Sequence, residues 1–387
     1  MFTQCEAILA RTLLPCQDTP SAKVVVEVKL TVLKPFRALY SGVEVKSYDD
    51  PNNADQSCFE YIQKIPVPTY LIAIACGYLE YGKLSERCGV WTEVGLKDKA
   101  VYEFADTEKF LSVAENYLTP YRWGVYNILV LPFSFPYGGM ENPCLTFVTP
   151  ALIAGDRSMT NVIAHEIAHS WTGNLVTNKD WINFWMNEGF TKFMERKISE
   201  LIHGEDMSNL EANVGKGELN YAIESIGPDH SYTSLLPDLT NVDPDDAFSV
   251  VPYEKGYTFL YFLESLVGKQ NWQIILRDYI TTYALKSVSW EDFKNYFEDY
   301  VRKLYTDADS ILSQIDWNSW MFLPGQPIKS FDYPSKWTSI GENLAKKLLN
   351  GEKLNDEDVS NFKSWHTNVK LVFLNYLNEN YSGITND

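Results

Sequence analysis

The chain has 387 residues, 45% hydrophobic and 14% aromatic, which is enough for two or three domains with sizeable cores and too apolar for a disordered chain. Acidic residues outnumber basic ones by 51 to 33, a formal charge of −18, and this speaks against nucleic acid and anionic membrane as partners, since both require basic patches. No apolar run is long enough to span a bilayer, the first residues lack a signal-peptide core because Glu6 and Arg11 interrupt it, and six cysteines without a CxxC pair read as reduced thiols, so a cytoplasmic location is expected.

Residues 1–80 read as β. Val24–Leu33 (VVVEVKLTVL) alternates with the period of a half-buried strand. SYDDPNNADQS follows as a loop, and Phe59–Lys64 and Tyr70–Cys76 are further strand-like runs. The period changes after about residue 105. Thr107–Leu118 is amphipathic at helical spacing, Asn127–Leu131 reads as a strand, and Ser158–Thr172 and Glu188–Ile202 read as helices, with more helix to about residue 322. LPGQPIKSFDYPSK carries three prolines and reads as a linker. Trp337–Tyr381 is helical in pattern, and the one N-glycosylation sequon, Asn380-Tyr381-Ser382, lacks any accompanying secretory signal. There is no internal repeat.

The chemistry is concentrated in Asn161-Val-Ile-Ala-His165-Glu166-Ile-Ala-His169. Histidines at i and i+4 share one face of a helix, so both imidazoles reach one ion at about 2.0–2.1 Å. Glu166 is too constrained by its neighbour to bind the same ion and faces a water instead. With five histidines in the chain, H-E-x-x-H arises by chance in roughly one such chain in a few hundred. A third ligand is needed. Glu188, nineteen residues after His169, opens the next predicted helix, and a helix–loop–helix places it opposite the histidines. Seven residues further, Glu195 returns to a similar face as an acceptor for a ligand imidazole N–H.

Upstream lies Tyr137-Gly138-Gly139-Met140-Glu141-Asn142. Alone it is a Gly-Gly turn between strands. Beside a metal site its glycines admit a substrate backbone, and Glu141 offers an anion to an ammonium group.

Through GGMEN at 138–142, HEIAH at 165–169 and Glu188 in NEGF, the chain resembles the zinc aminopeptidases of the M1 type (gluzincins). The likeness is greatest to the group that holds leukotriene A(4) hydrolase and its aminopeptidase relatives. It runs through FPYGGMENPCLTFVTP, NVIAHEIAHSWTGNLVTNKDW and VPYEKGY. The resemblance implies one zinc ion on His165, His169 and Glu188, with Glu166 as base. It implies Glu141 on the substrate α-amino group, with Tyr137, Gly138, Gly139, Met140 and Gln4 around it, and Tyr253 as the phenol at the oxyanion. Glu6, in Gln4-Cys-Glu6-Ala, matches the second amine-binding position. That position is glutamate in plain aminopeptidases and glutamine in vertebrate-like leukotriene hydrolases.

The function expected is removal of N-terminal residues from peptides that have a free amino end. One alternative is a bifunctional enzyme that also opens a lipid epoxide: Asp245, the match to the water-directing acid, favours it, whereas Glu6 and Phe248 (a tyrosine in those hydrolases) disfavour it. Another is a truncated, weakly active or non-catalytic member.

The fold implied is α+β and multidomain. Residues 1–80 would be the C-terminal portion of a β-rich domain, 81–323 a thermolysin-like catalytic domain, 324–337 a proline-rich linker and 338–387 the start of an α-helical domain. A monomer is expected. Family members extend further on both sides, so the chain reads as a fragment or short isoform, with Glu6 expected to fray near a free terminus.

Overall fold

The computed structural model describes residues 1–380. The expected helix end at Tyr381 and the rest of the sequon beyond Asn380 lie outside the described residues.

The N-terminal part is built on a three-stranded antiparallel sheet, with Gln56–Pro68 between Lys23–Leu33 and Val43–Asp49. Leu30 pairs with Phe59 and Val28 with Tyr61. Their alternation buries one face of the central strand and leaves Val24, Val25, Val43 and Val45 exposed. Val43–Asp49 was not expected as a strand. Six of its seven residues are exposed, and its apolar alternation is confined to Val43 and Val45, too short to mark a strand.

Tyr70–Cys76 is not one strand. Thr69–Leu71 is a 3₁₀ turn, and only Ile74–Gly77 pairs, with Arg37–Tyr40. Tyr70, Leu71 and Ile72 are buried, and a short buried apolar run has the same composition in either conformation.

The first residues do not fray. Phe2 bridges Ala75, Met1 and Cys76 bond to each other in both directions at 2.9 Å, and the Thr3 amide donates to the Ile74 carbonyl at 3.0 Å. The Phe2 ring meets Phe135 and Phe147 edge-on, which ties the strand to the next unit.

That unit contains a mixed five-stranded sheet in the order Leu79–Lys83, Cys88–Glu93, Tyr126–Val130, Leu145–Val148, Gly139–Met140. The last strand is a short antiparallel edge, Phe147 against Met140. It carries the glycine motif beside the histidine helix, Asn161–Ala168. That helix is shorter than the predicted Ser158–Thr172: His169 caps it, and the chain turns through Gly173 at φ 136°. Ile163 and Ile167 are fully buried, as are Ile128 and Phe147 of the sheet.

The glutamate helix, Trp185–His203, starts three residues before Glu188, after a 3₁₀ turn whose Asp180 carboxylate accepts from the Asn183 amide. It crosses the tyrosine helix, Val251–Val267, at Gly189 and Gly256. A Cβ on either glycine would lie 2.8–2.9 Å from the other's Cα, so the backbones touch there. This contact brings the first turns of both helices, with Glu188 and Tyr253, to one place.

Residues 324–335 carry no helix or strand. They are laid along the preceding helices: Lys255 donates to the Gly325 carbonyl, Lys216 to that of Phe331 and Asn213 to that of Tyr333. Three helices follow, Lys336–Leu349, Asp356–Ser364 and Thr367–Asn380. Val369 and Val372 of the last pack on Leu210 and Val214. Among the described residues, no helix is long and apolar enough to cross a membrane.

Candidate active site

His165, His169 and Glu188 converge. The two Nε2 atoms are 3.2 Å apart, and Glu188 Oε2 lies 3.3 and 3.4 Å from them. Four ligands held tetrahedrally at about 2.0–2.1 Å from an ion are separated by roughly 3.3 Å, so this triangle has the size of one face of such a site. Glu188 Oε2 is buried without a hydrogen-bond partner, and the three atoms lie close enough together to hold one ion. These residues therefore fit a metal ion of the zinc kind.

Each imidazole is oriented from behind. His165 Nδ1 lies 2.9 Å from Glu195 Oε2, and His169 Nδ1 lies 3.0 Å from the Thr172 carbonyl. Both acceptors place the proton on Nδ1 and leave the Nε2 lone pairs facing the centre. Asn161 and Lys192 also donate to Glu195. Burial alone would raise Glu195, but Lys192 and His165 hold it well below the usual carboxylate range. Burial would likewise raise Glu188, and the two imidazoles outweigh it, holding the group at about 2.

Glu166 is buried beside the triangle, and its Oε2 has no partner. Burial raises its carboxyl, the imidazoles of His165 and His169 pull it down and Glu141 and Glu188 push it up, which together leave it at about 8. Gly139 lies against it: a Cβ there would come within 2.1 Å of Glu166 Oε1. The resemblance assigns this glycine to the substrate; its room is also needed by the carboxylate. Gly139→Ala is expected to displace Glu166 by about an ångström and lower kcat roughly 10²-fold at unchanged metal content. Turnover measured beside elemental analysis checks this, and activity within threefold of the parent would show that Glu166 tolerates the shift.

Glu141 lies beyond His169, its Oε1 3.8 Å from His169 Nδ1. Asn174 fixes its backbone by donating to the Glu141 carbonyl at 2.8 Å. Glu6 joins it in the same cavity, and the Oε1 atoms of both are buried and unpartnered. Burial raises both groups, and each is further pushed up by a neighbouring carboxylate, Glu141 on Glu6 and Glu188 on Glu141. A cation between them relieves that crowding.

Gln4 turns aside, its Nε2 on the Met140 sulfur at 3.2 Å, and Met140 is buried beneath the edge strand; neither lines the cavity. Tyr137 and Gly138 do. Tyr253 stacks on His165 at 5.8 Å, and burial with the surrounding carboxylates keeps its phenol protonated. Asp245 is on the cavity wall and exposed. Phe248 stands among Tyr137, Phe184 and Tyr253. The cavity measures 390 Å³.

Sequence reasoning missed Asn161, Thr172, Asn174 and Lys192. Three are polar residues in common surroundings and Thr172 acts through its backbone, so no pattern marked them.

A histidine pair, a carboxylate from a second helix and a free buried acid beside them define a site of the metallopeptidase kind. The chain belongs to peptidase family M1: residues 102–320 match the peptidase family M1 domain, and residues 1–71 the M1 N-terminal domain. It is 43% identical over 365 residues to leukotriene A-4 hydrolase of Xenopus laevis, covering 94% of this chain and 59% of that one. It is 42% identical over 351 residues to leucine aminopeptidase 2 of Neosartorya fischeri, covering 90% and 56%. The solved yeast LTA4 hydrolase in complex with bestatin matches with a TM-score of 0.88 at 37% identity, covering 99% of this chain and 60% of that one. The chain thus spans somewhat over half the length of these relatives.

Proposed function

We propose that this chain is a zinc aminopeptidase that removes single residues from the free amino end of peptides. The observation that carries the reading is the pair of buried, unpartnered carboxylates, Glu141 and Glu6, set beside the candidate metal triangle. An ammonium group held there fixes the substrate one residue from its end, which makes the cleavage exopeptidic. His165, His169 and Glu188 would hold the zinc ion, which supplies an acidified water and polarises a carbonyl.

Glu166 takes a proton from the attacking water and returns it to the leaving amine. The Tyr253 hydroxyl, kept protonated, donates to the oxygen that becomes negative, an interaction strongest in the transition state. Glu195 and the Thr172 carbonyl hold the imidazoles in the required tautomer.

The test compares a peptide with its N-acetylated form in the parent and in Glu141→Ala. Acetylation removes the charge and should lower kcat/KM by at least about 10²-fold, the loss expected when a buried charged partner is left unpaired. Glu141→Ala should cost a similar factor on the free peptide while keeping its metal. Equal rates for free and acetylated peptides would mean an endopeptidase.

A second reading, epoxide opening, is favoured by the position of Asp245 on the wall of the same cavity. Turnover of a lipid epoxide, and its loss in Asp245→Asn, tests it.

A further inference from the structure

Six carboxylates line the cavity, Glu6, Glu141, Glu166, Glu188, Glu195 and Asp245, against a single lysine or arginine, Lys192. Lys192 stands on the glutamate helix one turn after Glu188, on the same face. Its ammonium reaches both oxygens of Glu195, at 3.1 and 2.9 Å, and Glu195 in turn holds His165. Its side chain keeps 19% of its surface exposed. Nearby, Glu254 is bonded by Arg196 at 2.8 Å and lies 3.8 Å from the Lys192 ammonium.

The two ends of the cavity differ. At the His169 end stand Glu141 and Glu6, each with an unpartnered carboxyl oxygen. At the His165 end stand Tyr253 and Lys192, and Glu195 beside them is already covered by three donors. A peptide with its ammonium at the first end and its first carbonyl at the triangle runs on toward the second. Its leaving portion therefore approaches Lys192.

From this polarity we infer that Lys192 is a specificity-determining residue that selects a carboxylate on the leaving side of the cleaved bond. This rests on the aminopeptidase reading above. The carboxylate has two sources: the C-terminus of a dipeptide, or an acidic side chain at the second position of a longer peptide. An ammonium has three protons, and Glu195 occupies two directions at most. Glu254 Oε1 stands 3.8 Å from the ammonium, beyond hydrogen-bond distance, and is bonded by Arg196, so the third proton is left for an incoming anion, in a partly dry cavity where such a bond is strengthened.

The experiment measures kcat/KM ratios within matched pairs, so that active-site concentration and metal content cancel. Ala-Ala against Ala-Ala-amide reads the C-terminal carboxylate. Ala-Glu-amide against Ala-Gln-amide reads the side chain. The enzyme is expected to favour the charged member of at least one pair by roughly tenfold or more, the usual gain from a charge-assisted bond.

Lys192→Met should bring that ratio to within about twofold of unity, and Lys192→Arg should keep it. Lys192→Gln, which retains an N–H for Glu195 while dropping the charge, serves if the methionine change unsettles the helix. No preference in the parent, a neutral variant that keeps the parent ratio, or an arginine variant that loses it overturns the inference. Alanine p-nitroanilide is the reference. If it is cleaved while the ratios stay flat, only this inference falls; if nothing is cleaved by the parent, the aminopeptidase reading falls and takes it along.

Discussion

Glu166→Gln is expected to keep its metal and lose at least about 10²–10⁴ of its turnover, the range for loss of a general base, with the upper end favoured where one group acts twice. The substitution is isosteric in a buried position, so the histidine helix and the space beside Gly139 are preserved. Glutamine still accepts a hydrogen bond but cannot take and return a proton. The carboxylate stands beside the ligand triangle with its Oε2 unpartnered, which is the arrangement required of a base and not of a ligand. Elemental analysis and kcat on the same preparation check this. A variant that kept a tenth of the parent activity would take Glu166 out of the reaction.

Glu188→Ala is expected to fail in the opposite way, losing metal and activity together. It deletes one of three atoms spaced at 3.2–3.4 Å and leaves the two imidazoles with no third protein ligand. Loss of a residue that only orients a ligand costs about 10–100-fold in metal affinity, and loss of a ligand should exceed that. The helix itself should survive, since its crossing with the tyrosine helix is made by Gly189 and Gly256 rather than by this side chain. Thermal unfolding with and without added zinc gives a second readout: the parent gains stability as the native state binds the ion, and the variant should gain little. Full zinc content in the variant would remove Glu188 from the ligand set.

Much of the centre of this site was legible because its geometry is local. His165, Glu166 and His169 lie within five residues, and helical periodicity alone puts the two imidazoles on one face. Glu188 needed only a second helix. The N-terminal sheet was harder to read. Val24–Leu33 alternates over ten residues and was legible, whereas Val43–Asp49 is an exposed edge that alternates only over its first residues, and the buried run at Tyr70 hides a 3₁₀ turn. Glu6 was expected to be loose near the chain end, and long-range pairing of Met1 and Thr3 with Ile74 and Cys76 holds it instead.

The H-E-x-x-H spacing, Glu188 in the following helix and the family likeness could be read without a structure, because these are written in residues close together or in motifs with fixed internal geometry. The family likeness named Glu6, Glu141, Asp245 and Tyr253, but only the folded chain puts them in one cavity, and it adds Lys192, which no motif marked. They meet because a terminal strand pairs with a remote one, an edge strand lies against a helix, and two glycines let a pair of helices touch. Those placements depend on register and packing between segments far apart in the chain, and no local pattern of residues encodes them.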